Sequence, residues 1–169
     1  MDTTIEILTV DNWKILKDLW LPALESDSIA YGSSYEENVD LNEDAWRKKF
    51  EAGPKYIARV GGNPVGLIGV HYEKTKKTEH VAHVVGFYVD PFYRGQGVGR
   101  KILERVLADL QAHPKISKVE LGVNVLQTNA VALYKSFGFV EEGVLHNATK
   151  IGNTYYDHAQ MYLLFPEKL

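Results

Sequence analysis

The sequence predicts a mixed α/β fold: one twisted sheet of about seven strands, mostly antiparallel, flanked by four helices. The apolar patterns follow one another as strand, two helices, three strands, helix, strand, helix and two strands. This order differs from the strict alternation of a doubly wound parallel fold. At 169 residues with 45% hydrophobic content, the chain is long enough for one core and short for two. We therefore expect residues 1–169 to form a single domain.

The first predicted elements are a strand and an amphipathic helix. Ile5 and Ile7 alternate with polar residues, which is the pattern of a half-buried strand. Asp11 can cap the helix that follows, and Pro22 is expected to end its regular part. The apolar face of this helix comprises Trp13, Leu16, Leu19 and Trp20.

The next segment predicts a surface loop, a second helix and a hairpin. Residues 26–38 are rich in Ser, Gly, Tyr and Glu without periodicity, so we expect a surface segment there. A helical pattern covers residues 43–52. Strands are predicted at residues 55–60 and 65–72, and the intervening Gly61-Gly62-Asn63 is a strong hairpin signal. These two strands should be antiparallel neighbours.

A glycine-rich segment lies at the centre of the chain. The apolar strand over residues 84–89 stops at Asp90-Pro91, because proline donates no hydrogen bond to a sheet. An amphipathic helix over residues 102–110 follows. Between them stand three alternating glycines, which lack a Cβ and allow a tight curl and a close approach to a ligand: Gly95, Gly97 and Gly99.

This position at a helix N-terminus predicts an anion site. Unpaired N–H groups and the positive end of the helix dipole attract anions, and Arg94, Arg100 and Lys101 add full charges. A phosphate-bearing ligand is the expected guest, although an ordinary glycine-rich connection would also fit the pattern. A P-loop is excluded, since neither Gly-Lys-Ser nor Gly-Lys-Thr occurs. The dinucleotide-binding spacing G-x-G-x-x-G is matched only weakly.

The C-terminal part predicts one more strand and helix and a closing pair of strands. His113-Pro114 ends the preceding helix, and residues 119–123 have the pattern of a strand. A short helix follows. The closing strands are expected at residues 139–145 and 155–164, joined by a loop that contains Gly152-Asn153.

Composition excludes several classes of protein. With 19 basic and 22 acidic residues the net charge is −3, so we expect neither a nucleic-acid nor a membrane partner. The absence of cysteine excludes disulfides and thiolate metal sites. The histidines are scattered without ligand spacing, so no metal is expected. The N-terminal sequence lacks a signal pattern, and no apolar run is long enough to cross a bilayer; we expect a cytoplasmic protein.

Two motifs carry a resemblance to a known family. Residues 94–99, Arg-Gly-Gln-Gly-Val-Gly, fit Q/R-x-x-G-x-G/A, and residues 130–139 fit A-x-x-L-Y-x-x-x-G-F. In this order they resemble the signatures of the GNAT acetyltransferase superfamily, and the order of elements is similar from end to end. The resemblance implies a sheet splayed between strands 4 and 5, with acetyl-CoA as the cofactor and no metal.

The resemblance also implies a set of cofactor-binding residues. The backbone of the central strand would pair with the pantetheine arm, the glycine loop would cradle the diphosphate, and one or both of two amides would touch the cofactor. These residues are Phe87, Tyr88, Val89, Arg94, Gly95, Gln96, Gly97, Val98, Gly99, Arg100, Gln127 and Asn129.

Catalytic and substrate residues follow from the same resemblance. Tyr134 is similar to the tyrosine that serves as general acid toward the cofactor sulfur, and a phenol is protonated at neutral pH. The family's glutamate bases are absent at the matching positions; His83 and Glu120 are the candidates, and water relays are the alternative. The loop that lines the acceptor pocket in the family would bring Tyr31, Tyr35 and Glu36 to the substrate.

The predicted activity is transfer of an acetyl group to the primary amine of an amino acid, a polyamine or an antibiotic-like molecule. Acetylation of a protein N-terminus or lysine is the alternative enzyme reading, and an acyl-CoA sensor without turnover is a third. Tyr134 disfavours the sensor, which has no need of an acid beside the sulfur. The resemblance also implies a homodimer, since relatives often pair through closing strands or helices.

Overall fold

The structure is a computed structural model and describes residues 2–169. The strands are β1 (Thr3–Leu8), β2 (Lys55–Val60), β3 (Asn63–Tyr72), β4 (Val81–Val89), β5 (Lys118–Asn124), β6 (Val140–Ile151) and β7 (Thr154–Leu164). The helices are α1 (Trp13–Ser26), α2 (Glu36–Val39), α3 (Glu43–Lys48), α4 (Val98–Ala112) and α5 (Thr128–Ser136).

The strands form one mixed sheet, which confirms the predicted fold class. Its order is β1-β2-β3-β4-β5-β7-β6. The pair β4–β5 is parallel, and the other pairs are antiparallel. The helices are the four expected ones and one addition, since the four-residue α2 forms at the end of the segment that was predicted as a surface loop.

The sheet opens between β4 and β5, as predicted. The two strands pair at three positions: Val81 with Lys118, Ala82 with Val119, and His83 with Glu120. Beyond these positions β4 runs on to Val89 and β5 to Asn124 without further pairing. One edge of each strand is therefore left open at the C-terminal end of both.

A bulge in β4 accompanies this divergence. The register with β3 shifts between Leu67 and Gly69, opposite Gly86, which has a φ of +60°. A bulge bends its strand and strengthens the local twist, which turns β4 away from β5. A Cβ at Gly86 would lie 3.1 Å from Cζ3 of Trp20 on α1, so both the positive φ and the close packing of Trp20 favour glycine at this position.

Each face of the sheet has its own apolar core. On one face α4 buries Ile102, Leu103, Val106 and Leu110 completely. On the other, a cluster between α1 and the sheet contains Leu16, Leu19, Trp46, Ile57 and Leu67. Burial of each such side chain contributes about 1.5–3 kcal/mol, which fixes the helices on the two faces.

Several element boundaries differ from the sequence predictions. Pro22 lies inside α1, and the helix continues to Ser26, because Ala23 and Leu24 are buried and hold the last turn against the core. The strand β6 extends to Ile151, well beyond the predicted end at Leu145. It continues because β7 pairs with it on both sides of a register shift between Leu145 and Thr149.

Candidate active site

The open end between β4 and β5 forms a cleft of about 660 Å³ beside the glycine loop. We call it the first cleft. Its walls come from the end of β4, the loop, and the start of α5. The lining residues include Phe87, Tyr88, Val89, Arg94, Gly95, Gly97, Gly99, Arg100, Gln127 and Asn129.

The loop before α4 has a backbone that requires glycine at two positions. Gly95 and Gly97 have φ values of +73° and +84°, in the left-handed region that other residues avoid. A Cβ at either position would meet nothing within 4 Å, so the reason is conformation rather than space. Gly97 lies immediately before α4 as its N-cap. The first backbone hydrogen bond of the helix runs from the N–H of Lys101 to the carbonyl of Gly97. Within residues 2–169 no acceptor is found for the N–H groups of Val98, Gly99 and Arg100, and free donors of this kind make a helix start suited to phosphate.

Gly99 has a packing role. A Cβ on this residue would lie 3.2 Å from Cζ of Phe87, which is tighter than ordinary contact. The missing side chain lets the first turn of α4 approach the open edge of β4. The loop and the strand edge therefore form adjoining walls of the first cleft.

Arg94 braces the loop. Its Nε donates to the carbonyl of Val89 at 2.8 Å, and its guanidinium forms an ion pair with Asp27 at the end of α1. The bidentate arrangement fixes the position of the arginine at the mouth of the first cleft. Asp27 was not singled out from the sequence, because nothing local indicates that it meets a residue so distant in the chain.

Tyr134 is almost fully buried on α5. Its ring packs between Phe87, at 6.0 Å between ring centroids, and Phe139, at 5.8 Å. Within residues 2–169 no hydrogen bond to its hydroxyl is found, and burial raises the pKa of the phenol. Tyr134 therefore keeps its proton at physiological pH. It does not line the first cleft itself, but its neighbour Leu133 does.

Tyr31 stands where the first cleft meets a second one. It lines both cavities, and its hydroxyl donates to the carbonyl of Phe87 at 3.1 Å. Burial, reinforced by Asp27, raises the pKa of this phenol, so it acts as a donor. Its ring packs edge-on against the ring of Trp20, with 4.7 Å between the ring centroids, and this contact joins α1 to the open strand edge.

The second cleft has a volume of about 670 Å³ and lies on the α1 face of the sheet. Its floor carries a glycine on each of three neighbouring strands: Gly69, Gly86 and Gly122. Its apolar walls include Leu16, Trp20, Leu67, Val84, Val85 and Leu145. Its polar lining includes Lys49, Lys55, His71 and His158. The two clefts together offer space for two ligands that meet beside β4.

A family model described as the acetyltransferase (GNAT) family matches residues 13–139. The chain belongs to the GNAT acetyltransferase family. The match covers the two signature motifs, the open strand edge and most of the lining of both clefts.

Relatives of this GNAT protein differ in what they acetylate. The chain is 36% identical over 88 residues to the N-alpha-acetyltransferase RimI of Mycobacterium tuberculosis, covering 52% of each chain. It is 36% identical over 76 residues to a spermidine N(1)-acetyltransferase of Vibrio cholerae, covering 45% of this chain and 44% of the relative. The chain thus spans about half the length of the curated relatives it matches.

A solved structure agrees with the fold over nearly its whole length. It is yncA, a putative acetyltransferase from Salmonella typhimurium, determined with its cofactor acetyl-CoA. The TM-score is 0.81 at 17% identity, covering 97% of this chain and 94% of that one. The likeness is one of fold, and it extends through the splayed sheet.

Two of the predicted cofactor residues of the GNAT protein direct their side chains elsewhere. The Gln96 amide donates to the carbonyl of Phe92 at 2.8 Å, and Val98 is buried in the core below α4. Arg100 lines the first cleft, donates to Oγ of Ser136 at 3.0 Å and so ties α4 to α5. Gln96 and Val98 therefore do not line the first cleft, whereas Gly95, Gly97, Gly99 and Arg100 do.

The predicted bases lie at the paired end of β4 and β5. His83 contacts Glu73 at 3.1 Å and Glu120 at 3.7 Å, and Glu120 also meets Lys118 at 2.6 Å. In the described part of the chain neither His83 nor Glu120 is among the lining residues of the two clefts. Their catalytic role stays a prediction.

Of the predicted substrate residues, Tyr31 alone lines a cleft. Tyr35 is half-buried at the start of α2, and Glu36 is exposed on that helix. Residues 2–169 contain no group of three His, Asp or Glu side chains that could hold a metal. The same residues include no helix long and apolar enough to cross a bilayer.

Sequence reasoning missed polar residues that the fold brings to the two clefts. Asn124, at the end of β5, is completely buried; its amide donates to the carbonyl of Ile29 at 3.1 Å and accepts from the N–H of Leu126 at 3.0 Å. It ties the end of β5 to the segment after α1. Lys49 and Lys55 carried no local signal: Lys49 lies among other charged residues, and Lys55 is the first residue of β2, where a lysine is not unusual.

Proposed function

We propose that this protein transfers the acetyl group of acetyl-CoA to the primary amine of a small molecule by direct attack in a ternary complex. The observation that carries the proposal is the meeting of two clefts at the open edge of β4, where both are lined by Tyr31. The likeness of fold to a structure determined with acetyl-CoA supports the choice of cofactor. Residues 1–169 would act as a single acetyltransferase domain.

The first cleft would hold the cofactor. The free N–H groups at the start of α4 and the left-handed glycines suit a diphosphate. The N–H of Asp90 donates to the carbonyl of Val65 on β3. Because successive N–H groups of a strand alternate in direction, that of Val89 faces the open side, where the thioester carbonyl of a bound cofactor could reach it. Gln127 and Asn129 would contact the cofactor from the opposite wall.

Bound acetyl-CoA would supply an activated thioester. The N–H of Val89 would stabilise negative charge on the carbonyl oxygen, which needs no particular side chain. Tyr134, held protonated by burial, would donate its proton to the sulfur. The amine proton would leave through water, because His83 and Glu120 lie in an ion cluster outside the two clefts.

Acetylation of a protein N-terminus is the second candidate. The similarity to RimI, named as an N-alpha-acetyltransferase, favours it. A peptide must enter with its chain extending into solvent, whereas a small amine is enclosed by the second cleft. Turnover of peptides with an N-terminal alanine or serine, compared with turnover of free amines at equal concentration, distinguishes the peptide acceptor from the small-amine acceptor.

The deciding experiment measures release of the coenzyme A thiol from acetyl-CoA across a panel of amines. We expect turnover with a small amine, and we expect Tyr134→Phe to lose most of it while retaining cofactor affinity. Binding of acetyl-CoA without turnover on any amine or peptide would reject the enzyme proposal and favour an acyl-CoA sensor.

We also propose a homodimer through the β6–β7 hairpin. This hairpin exposes apolar side chains outside both clefts that a second copy could cover: Val140, Val144, Ile151 and Tyr155. Exposed apolar surface of this kind marks interaction sites. Sedimentation velocity should give the mass of two chains, and Val140→Lys combined with Ile151→Lys should give that of one.

A further inference from the structure

The charges that line the second cleft are of one sign. Lys49, Lys55, His71 and His158 contribute to its surface. Among its described lining residues there is no Asp or Glu. Burial lowers the pKa of both imidazoles and favours their neutral form, so the positive charge comes from the two lysines. A cavity of about 670 Å³ therefore presents two ammonium groups without a carboxylate.

Lys55 is the clearest case. It is 6% exposed, and its stem crosses the cleft floor, where a Cβ on Gly69 would lie 3.4 Å from its Cδ. Its ammonium donates to the carbonyl of Gly53 at 3.1 Å. Within residues 2–169 no further acceptor and no carboxylate within 4 Å is found for it, although an ammonium has three donors. Burial, followed by the charge of Lys49, lowers the pKa of Lys55 to about 8.

Lys49 extends the same positive surface. Its ammonium donates to Oδ1 of Asn38 at 3.0 Å and lies 5.1 Å from the centre of the Trp46 ring. Burial lowers its pKa as well. Both contacts are to neutral groups, so they leave its charge uncompensated.

Three acidic groups on the neighbouring elements are paired with other residues. Glu73 and Glu120 meet His83 at the paired end of the strands, and Asp27 forms an ion pair with Arg94 in the first cleft. A buried charge is costly unless it is paired, so the free protein keeps an ammonium group in an unfavourable state. An anion that enters the second cleft would relieve this cost.

We infer that the acceptor is a small amine that also carries a carboxylate, held by Lys55 and Lys49, with an apolar body against the walls of the second cleft. This inference rests on the proposed function and names its substrate class. An apolar amino acid meets all three requirements: a primary amine, an acid group and an apolar side chain. Leu16, Trp20 and Leu67 supply the apolar contact.

The same charges select against polyamines. A molecule with several ammonium groups would meet only like charges in the second cleft, which is unfavourable at short distance. The reacting amine must be neutral to attack, and nearby cations lower the pKa of an amine. The positive lining thus favours the reactive form of one amine while it disfavours a ligand with additional cations.

The experiment compares leucine with leucinamide, 3-methylbutylamine and spermidine on the wild-type enzyme, by thiol release from acetyl-CoA. Leucinamide keeps the apolar body and has the less basic amine, so a site indifferent to the carboxylate would favour it. We expect kcat/KM for leucine to exceed that for each other compound at least tenfold. This comparison needs no variant.

Lys55→Met tests the residue itself, and Lys48→Met is the matched control, since Lys48 is adjacent to Lys49 but exposed and outside the clefts. We expect Lys55→Met to lower kcat/KM for leucine at least tenfold through KM, with that for 3-methylbutylamine unchanged within twofold. Lys48→Met should match the wild type on both.

Three results would overturn the inference while leaving the proposed function standing. The first is a higher kcat/KM for leucinamide than for leucine, and the second is a higher kcat/KM for spermidine than for leucine. The third is an equal fall in kcat for every amine in Lys55→Met, because that result would make Lys55 a proton acceptor. Failure of every amine to release thiol would instead reject the proposed function, and with it this inference. The two failures are therefore distinguishable.

Discussion

Replacing Gly97 by alanine separates the conformational role of the loop from its proposed role in binding. Gly97 has a φ of +84°, and a Cβ there would meet no atom within 4 Å. The cost to the free protein is therefore backbone strain alone, about 1–2 kcal/mol for a residue with a side chain in the left-handed region. For a chain of this size, that lowers the melting temperature by roughly 2–8 °C.

Gly62 provides a matched control in the β2–β3 turn. Its φ is +83°, a Cβ there would also meet nothing within 4 Å, and it lies outside both clefts. Gly62→Ala should lose about as much stability as Gly97→Ala. Affinity for coenzyme A, measured by calorimetry, should differ between them. If Gly97→Ala shifts the loop enough to lose one charge-assisted hydrogen bond to phosphate, the dissociation constant rises roughly tenfold or more.

The reasoning would be refuted by either of two outcomes. Equal coenzyme A affinity in Gly97→Ala and Gly62→Ala would show that the loop backbone does not grip the cofactor. A melting temperature for Gly97→Ala equal to that of the wild type would show that the left-handed conformation is not required in solution.

Three further expectations follow from the structure. Tyr134→Phe should lower kcat about 10²–10⁴-fold with unchanged coenzyme A affinity. Its melting temperature should also be unchanged, since the hydroxyl has no hydrogen-bond partner within residues 2–169. A less than threefold fall in the rate of thiol release would exclude the general-acid role. Burial lowers the pKa of Lys55 to about 8, below its unfolded value of 10.5, so the unfolded chain binds more protons between these pH values and the free energy of unfolding of the wild type rises with pH there. Measured in urea, the stability of the wild type relative to Lys55→Met should increase by about 3 kcal/mol across this range. A stability difference that does not change with pH would contradict the burial of the charge. Gly86→Ala should lose about 1–2 kcal/mol in urea, because its φ is +60° and a Cβ would lie 3.1 Å from Trp20; wild-type stability would mean that the bulge is not fixed.

The order of the elements and the glycine loop could be predicted because both have local causes. Apolar periodicity defined α4, and Asp90-Pro91 ended β4 next to the turn that it predicts. The bulge at Gly86 has no local signal, since it depends on how β4 pairs with β3 and packs against Trp20. The continuation of β6 likewise depends on its partner strand.

The same distinction applies to the candidate site. The first cleft is built largely from two continuous segments, each with its own motif, so most of its predicted residues could be named from the sequence. The second cleft is assembled from α1, the segments that follow α1 and α3, and six strands, and its polar residues are far apart in the chain. Lys55 and His158 line one cleft only because the sheet places β2 beside β3 and β7 beside β5, on opposite sides of the splayed pair. The pattern of residues along the chain therefore does not indicate that these two side chains line the same cleft.

Net charge was a poor guide to the field inside the molecule. The overall value of −3 predicts no attraction for nucleic acid or an anionic membrane, and the sequence indicates an anion site only at the glycine loop, yet both clefts present positive groups. Asp27, which lines the first cleft, is engaged in an ion pair with Arg94, and the lining of the second cleft includes no Asp or Glu among the described residues. Exposed charges are screened beyond about 8–10 Å at physiological salt, so a ligand in either cleft responds to the lining and little to the total. The field that would select the proposed anionic cofactor and acceptor is therefore set by a few buried or anchored cations, which a count of charges along the sequence does not reveal.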